Sequence, residues 1–282
     1  MDGPDRPAEG GIGLAYPIYV FNARKYRRVA LLAAAVLFAG GIVYSEAENI
    51  AVFAPNDEPA AVYSVKTDRK VLALTFDISW GDTRAEPILQ VLKDKGVKKA
   101  TFFLSSPWSR NHPDIVRKIV EAGYEIGSHG HKHVNYSRLS DEEIRTQIQT
   151  AHEILTELTG TPPRLIRMPN GDFDKRVLRI ARELNYTVIQ WDTDSLDWKN
   201  PGVDRIIDRV VRRAHEGDII LMHASDSCKQ THLALPAIID QLRAKGYEFV
   251  TVGELLTLAD VRQTPAEQQG LSPAASDAPD SI

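Results

Sequence analysis

The stretch VLALTFDISWGD, residues 71–82, decides how the chain is read. Its first half, VLALTF, is an unbroken apolar-leaning run of strand length and reads as a buried strand. The run delivers a carboxylate, Asp77, at its end, and an isoleucine, Ile78, comes next. A helix pattern then takes over in TRAEPILQVLKDKG (83–96), with Thr83 as a candidate N-cap and Gly96 past the end.

Outward from this stretch the same alternation repeats. KATFFL (99–104), YEIGS (124–128), RLIRM (164–168), YTVIQW (186–191), DIILMH (218–223) and YEFVTV (247–252) read as strands. Helix patterns lie at 112–123, 140–160, 174–184, 203–214 and 230–244, with a short last one at 253–259. Ser140 and Glu143 form a capping-box pattern at the start of the longest. Such β–α alternation implies parallel strands with helices outside, closed as a barrel or open as a doubly wound sheet.

A chain of 282 residues accommodates one large α/β domain of this kind. The net charge of −4 implies no field for a polyanion, which argues against a nucleic-acid partner. Cys228 is alone, so neither an internal disulfide nor a cysteine zinc cluster is available, and it reads as a plain small residue rather than a catalytic thiol. Residues 1–28 are polar and end in Arg24, Lys25, Arg27 and Arg28. Residues 29–45, VALLAAAVLFAGGIVYS, carry no charge and as a helix would span roughly 25 Å. They read as a transmembrane anchor or a signal segment, and the basic cluster before them puts the remainder outside the cytoplasm. Residues 46–68 read as a linker or a small N-terminal appendage, 69–260 as the folded α/β domain, and 261–282, rich in Pro, Ala, Ser and Gln, as a disordered tail.

Polar residues gather where the strands end: Asp77, His129 with His133, Arg167, Asp194 with Asp197, and His223. All sit at or just beyond C-terminal strand ends, the face on which α/β barrels assemble catalytic groups. SHGHKHVNY (128–136) offers three histidines, and neutral imidazoles are zinc ligands. His129 and His133, four apart, suit one helical turn or a curled loop, His129 and His131 an extended segment. A hydrolase that activates water at a metal needs a general base, for which Asp77 is available, and a proton donor to the leaving group, for which His223 is available. Arg167 is placed to hold Asp77 ionised, and Asp197 to keep His223 protonated. Together these are the parts of a metal-assisted amide or ester hydrolase.

With these residues in this order, the chain resembles the polysaccharide deacetylases, the NodB-homology or carbohydrate esterase family four enzymes, over residues 69–258. The family's T-F-D-D-G motif matches Thr75, Phe76 and Asp77; H-[ST]-x-x-H matches His129 to His133, with Gly130 in place of the small hydroxyl residue. R-x-P-x-G-x-[YF] matches RMPNGDF (167–173), D-x-x-D-W matches DSLDW (194–198), and L-x-H matches LMH (221–223). The resemblance implies a distorted (β/α)7 barrel that removes N-acetyl groups from an amino-sugar polymer of the cell wall, peptidoglycan or a related glycan. It implies Asp77 as base, His223 as acid, and His129 and His133 as ligands of a divalent metal, zinc foremost with cobalt, manganese and nickel open. It also implies an acetyl-oxygen contact from the backbone N–H of Asn170 and an acetyl pocket lined by Trp198 and Leu221.

The chain departs from the pattern at Ile78, where the family usually keeps an aspartate as third metal ligand. The FDISWGD variant is similar to the sporulation-associated branch, and it places Asp82 a few residues later, either as a replacement ligand or as a cap of the helix near Thr83. The leading expectation is a membrane-anchored, metal-dependent N-deacetylase. A carbohydrate-binding pseudoenzyme with a degraded metal site and an amidohydrolase on a small cyclic imide or ureide are the alternatives.

Overall fold

Every residue of β2 (Val71–Ile78) is buried, and the rest of the fold is arranged around it. The computed structural model describes residues 59–258 and 260–264. β2 pairs in parallel with β3 (Thr101–Leu104) on one side and β8 (Ile219–His223) on the other. Beyond β3 come β4 (Glu125–Ser128), β5 (Leu165–Ile166) and β6 (Thr187–Val188); beyond β8 comes β7 (Thr193–Asp194). β9 (Glu248–Phe249) also pairs with the start of β2, and every one of these pairings is parallel.

The period of two along β2 sorts its side chains between two environments. Leu72, Leu74, Phe76 and Ile78 belong to the larger apolar cluster. That cluster includes Ile88 and Leu92 of α1 (Ala85–Asp94), Ile115, Val116 and Ile119 of α3 (Pro113–Glu121), and Ile238, Ile239 and Leu242 of α7 (Thr231–Ala244). Val71 and Ala73 face the other way, into a cluster with Phe103, Leu165, Ile189, Ile219 and Val252. Thr75 and Asp77 continue that inner face toward the C-terminal end of the strand. The long α4 (Asp141–Thr159) starts at the expected capping box, with the Ser140 hydroxyl accepting from the Glu143 amide and the Glu143 carboxylate accepting from Ser140 N–H at 2.8 Å. α5 (Lys175–Glu183), α6 (Val203–Arg213) and α8 (Val252–Thr257) fall where the apolar periodicity places them.

The structure corrects the outline in several places. The strand path is an open half-barrel, because its end strands β6 and β7 do not pair with each other. The chain crosses from one to the other in four residues, 189–192, handing Ile189 N–H to Ile166 O, Gln190 N–H to Val62 O and Asp192 N–H to Ile219 O. The seam is occupied by β1 (Ala61–Lys66), which bridges to Ile189 and to Asp218. β1 lies inside the segment read as a linker, and its antiparallel partner β10 (Asp260–Thr264) lies at the start of the segment read as a disordered tail. Ala61, Val62, Ser64 and Val65 are buried, which explains why so short a segment is ordered as a strand. YTVIQW keeps only Thr187 and Val188 in a strand, and an additional helix, α2 (Ser106–Asn111), precedes α3. The N-cap of α1 is Arg84 rather than Thr83. Residues 29–45 lie outside the described residues; among the described residues no helix is long and apolar enough to cross a membrane.

Candidate active site

Asp77 and His223 are register partners on adjacent parallel strands, so their side chains emerge on the same face. Asp77 is buried and meets the fully buried Arg167 in a hydrogen-bonded ion pair, Nη1 to Oδ1 at 2.8 Å. The same nitrogen donates to the Thr75 hydroxyl at 2.8 Å, Nη2 donates to Gln190 O at 2.9 Å, and the guanidinium lies 4.2 Å over the Phe103 ring. Burial raises the Asp77 carboxyl, but Arg167, then His129 and His223, outweigh it and hold the group below its usual range.

His223 is held by Asp197. Its Nδ1 lies 2.7 Å from Asp197 Oδ1, and its backbone N–H donates to Oδ2 at 2.7 Å, an oxygen that also accepts from the Thr231 hydroxyl. Burial pulls His223 down, but the Asp197 carboxylate, with Asp77 and Asp194 behind it, pushes it up to about 8. With Nδ1 committed to Asp197, the transferable proton is the one on Nε2.

His129, just past β4, is the third fixed group. Its Nδ1 lies 2.8 Å from the Arg167 carbonyl, which only accepts, so Nδ1 carries the proton and Nε2 keeps its lone pair. That Nε2 is 4.0 Å from Asp77 Oδ2. Burial pushes His129 down to about 4, so the ring is neutral near pH 7, the state a metal ligand needs. The exposed His133 brings its ring centroid to 5.4 Å from that of His129, whereas His131 turns to the Ser106 hydroxyl at 2.9 Å. The curled loop is therefore the observed one. Gly130 is its pivot, at φ +73°, and a Cβ there would fall 2.2 Å from the Tyr136 hydroxyl. That contact explains the glycine where the family carries a small hydroxyl residue.

Other expected residues are placed as follows. Asn170 adopts φ 59° in the turn Pro169–Gly171, and its side chain donates to Asn135 Oδ1 at 2.7 Å. The bonds that close this turn are made by the amides of Gly171 and Asp172, not by that of Asn170. Leu221 is buried on β8 two positions before His223, on the same face, and Trp198 is partly exposed beside Lys199. Asp82 is exposed, and the structure does not bring it together with His129 and His133 as a close trio of ligand atoms. Its backbone N–H donates to Asp226, which also accepts from the amides of Thr83 and Arg84 and from the Thr83 hydroxyl. Asp226, from the loop after β8, thus pins the turn that leads into α1, whose own first amides have no side-chain cap. Sequence reading missed it, and missed Thr75 as a partner of Arg167, although Thr75 sits two positions before Asp77 on the same strand face.

Among the described residues, the trio whose ligand atoms lie within 4.8 Å of one another is Asp197, His223 and Cys228. It is poorly suited to a cation. Both Asp197 oxygens already accept hydrogen bonds, and burial, with Asp197 adding to it, pushes the Cys228 thiol up to about 12. His129 and His133, both lowered by burial and so neutral, fit a divalent metal better in ligand chemistry, though with Asp77 they form no close trio of ligand atoms among the described residues.

Known proteins share the sequence and the fold that carry these residues. Residues 64–189 match the polysaccharide deacetylase family model. A peptidoglycan-N-acetylglucosamine deacetylase of Bacillus cereus is 35% identical over 209 residues, covering 72% of this chain and 74% of that relative. The chain belongs to the polysaccharide deacetylase family. Several relatives are peptidoglycan N-deacetylases, the expected enzyme class. Among solved structures, the peptidoglycan N-acetylglucosamine deacetylase Bc1960 superposes with a TM-score of 0.67 at 34% identity, over 71% of this chain and 94% of that one. BA3943 of Bacillus anthracis, described as a CE4 family pseudoenzyme, superposes at 0.66 with 36% identity, over 71% of this chain and 69% of that one.

Ile78 differs from a family ligand in direction as well as in chemistry. It is still in the strand, paired with Leu104 and accepting Ser105 N–H at 2.9 Å, and its side chain lies in the helix-side apolar cluster. A carboxylate there would be buried without a partner. Ile78→Asp is therefore expected to lower stability by at least ~2 kcal/mol and to leave metal affinity no higher, read by thermal melting and calorimetric metal titration. A variant that melts like the wild type and binds metal more tightly would show that the strand end reorients to ligate.

Proposed function

We propose that the chain hydrolyses the N-acetyl group of amino sugars in peptidoglycan or a related wall glycan, with a divalent metal held by His129 and His133. The observation that carries the reading is the pairing of Asp77 and His223, held respectively ionised by Arg167 and protonated by Asp197. Asp77 takes the proton of the attacking water, and His223 Nε2–H protonates the departing amine nitrogen. When bound, the metal supplies Lewis acidity that polarises the acetyl oxygen and lowers the pKa of water. Asn170 N–H assists at the same oxygen, while Leu221 and Trp198 enclose the acetyl methyl. Zinc is the first choice of metal, and Asp82 adds a ligand only if its loop moves.

The N-terminal segment 29–45 gives the reading its setting: a single-pass anchor, or a cleaved signal, with the domain outside the cytoplasm in a spore-forming cell. A second reading, a glycan-binding pseudoenzyme, is favoured by the burial of Ile78 and by the likeness to BA3943.

Acetate release from purified glycan strands is expected to fall about 10²–10⁴-fold in Asp77→Asn and in His223→Ala. In the wild type it is expected to decline as pH rises through about 8, where His223 loses its proton, and again well into acid as Asp77 gains one. More than a tenth of wild-type activity in either variant removes that residue from its role, and equal near-zero release by wild type and variants supports the pseudoenzyme. For localisation, a reporter active only in the cytoplasm, fused after Asn56, is expected to be silent; strong activity would reverse the assignment.

A further inference from the structure

The large apolar side chains left exposed among the described residues are Trp80, Val120, Val134, Trp198 and Leu233. Their distribution is uneven. Trp80 lies three positions beyond Asp77, Val134 follows His133, and Trp198 follows Asp197. Leu233 lies two positions past Thr231, whose hydroxyl binds Asp197. Four of the five therefore follow the C-terminal ends of the parallel strands, the end that carries the candidate site; Val120 is the exception, on α3. Exposed apolar surface rimmed by polar groups marks a binding groove.

Trp80 is the largest uncovered surface in this group that has no assigned role, with 55% of its area exposed. Its loop is pinned. Ser79 N–H donates to the Ser225 hydroxyl at 2.9 Å, Trp80 O accepts from Asp226 N–H at 3.3 Å, and Trp108 Nε1 donates to Gly81 O at 2.6 Å. Gly81, at φ +83°, packs so closely on Asp226 that a Cβ would fall 2.2 Å from its Cγ. A loop held at this many points presents the indole in a fixed position at little entropic cost on binding. Charged residues interleave the apolar ones, with Asp82 close to Trp80, Lys132 to Val134 and Lys199 to Trp198. A sugar ring suits that mixture, since it has a face of C–H groups to lie on an indole and hydroxyls around its edge for the charged groups. An apolar peptide would leave the charges unsatisfied, and an anionic lipid surface would repel Asp82 beside Trp80.

We infer that Trp80 is a stacking platform for a sugar ring next to the one that bears the reacting acetamido group, so that the site takes an extended glycan chain rather than a single amino sugar. The inference rests on the deacetylase reading for its choice of ligand. Its test is binding, which is independent of turnover. The full chain is titrated calorimetrically with N-acetylglucosamine and with its tetramer, and acetate release is followed in the same samples. The wild type is expected to bind the tetramer more tightly. Trp80→Ala is expected to weaken tetramer binding roughly tenfold and leave the single sugar unchanged, and Trp80→Phe, which keeps a ring, to restore most of the loss. Tetramer affinity unchanged in Trp80→Ala, an equal loss for both ligands, or no gain from chain length in the wild type overturns the platform. Acetate release without length-dependent binding keeps the deacetylase reading and discards the platform; length-dependent binding through Trp80 without acetate release does the reverse.

Discussion

A guanidinium with no exposed surface stays charged in a protein only if its charge is answered, and the carboxylate of Asp77 answers that of Arg167. Taking both ions out of water costs several kcal/mol each, so the pair depends on the hydrogen bonds that hold it. Asp77, Thr75 and Gln190 take three of the four Nη protons and the Phe103 ring covers the planar face, while Nε is left without a partner. β3 and β4 lie between β2 and β5 in the strand path, so the pair spans the inside of the half-barrel rather than a single strand pairing. The carbonyl of the same arginine fixes the tautomer of His129. One residue thus sets the ionisation of the base and the lone pair of the neighbouring imidazole.

The second half of the site is tuned the other way. Asp197 spends both oxygens on His223 and Thr231, and the raised His223 stays protonated where Asp77 stays ionised. Two titratable groups pushed apart by their surroundings are how an acid and a base coexist at one pH. The loop that carries Asp197 begins at β7, the open end of the strand path. There Arg209 Nε donates to Asp194 O at 2.6 Å and Leu196 takes a left-handed conformation, so the loop is bent back toward His223. The seam filled by β1 keeps β7 and β8 in place beneath it, with Thr193 and Ser64 tied to Asp218 and Asp192.

Much of this was legible in the sequence because strand alternation and strand ends leave strong local marks. The run 71–76 announces β2, and the polar residues that follow strands announce Asp77, His129, Arg167, Asp197 and His223. The seam left weak marks. β1 and β10 pair antiparallel from opposite ends of the described chain, joining residues such as Ala61 and Thr264 that no local pattern links. β7 has two residues, too few for a period to show, and β5, β6 and β9 each keep only two residues of the longer runs that announce them. α2 begins at a serine and a proline and has no apolar stripe of its own. The direction of Ile78 was within reach of the period-two rule, since it shares parity with Leu72, Leu74 and Phe76, but the family resemblance drew attention to the ligand it replaces. Asp226 was out of reach, because its hold on a turn more than a hundred residues earlier exists only in the folded chain.

The central claim is that this arrangement performs metal-assisted N-deacetylation, and acetate release from purified peptidoglycan strands tests it most directly. The full chain is assayed as purified, after chelation, and after adding back zinc, cobalt, manganese or nickel singly. The expected result is release that chelation abolishes and at least one of these metals restores. Release untouched by chelation would contradict the metal, and no release with any metal would contradict the hydrolase.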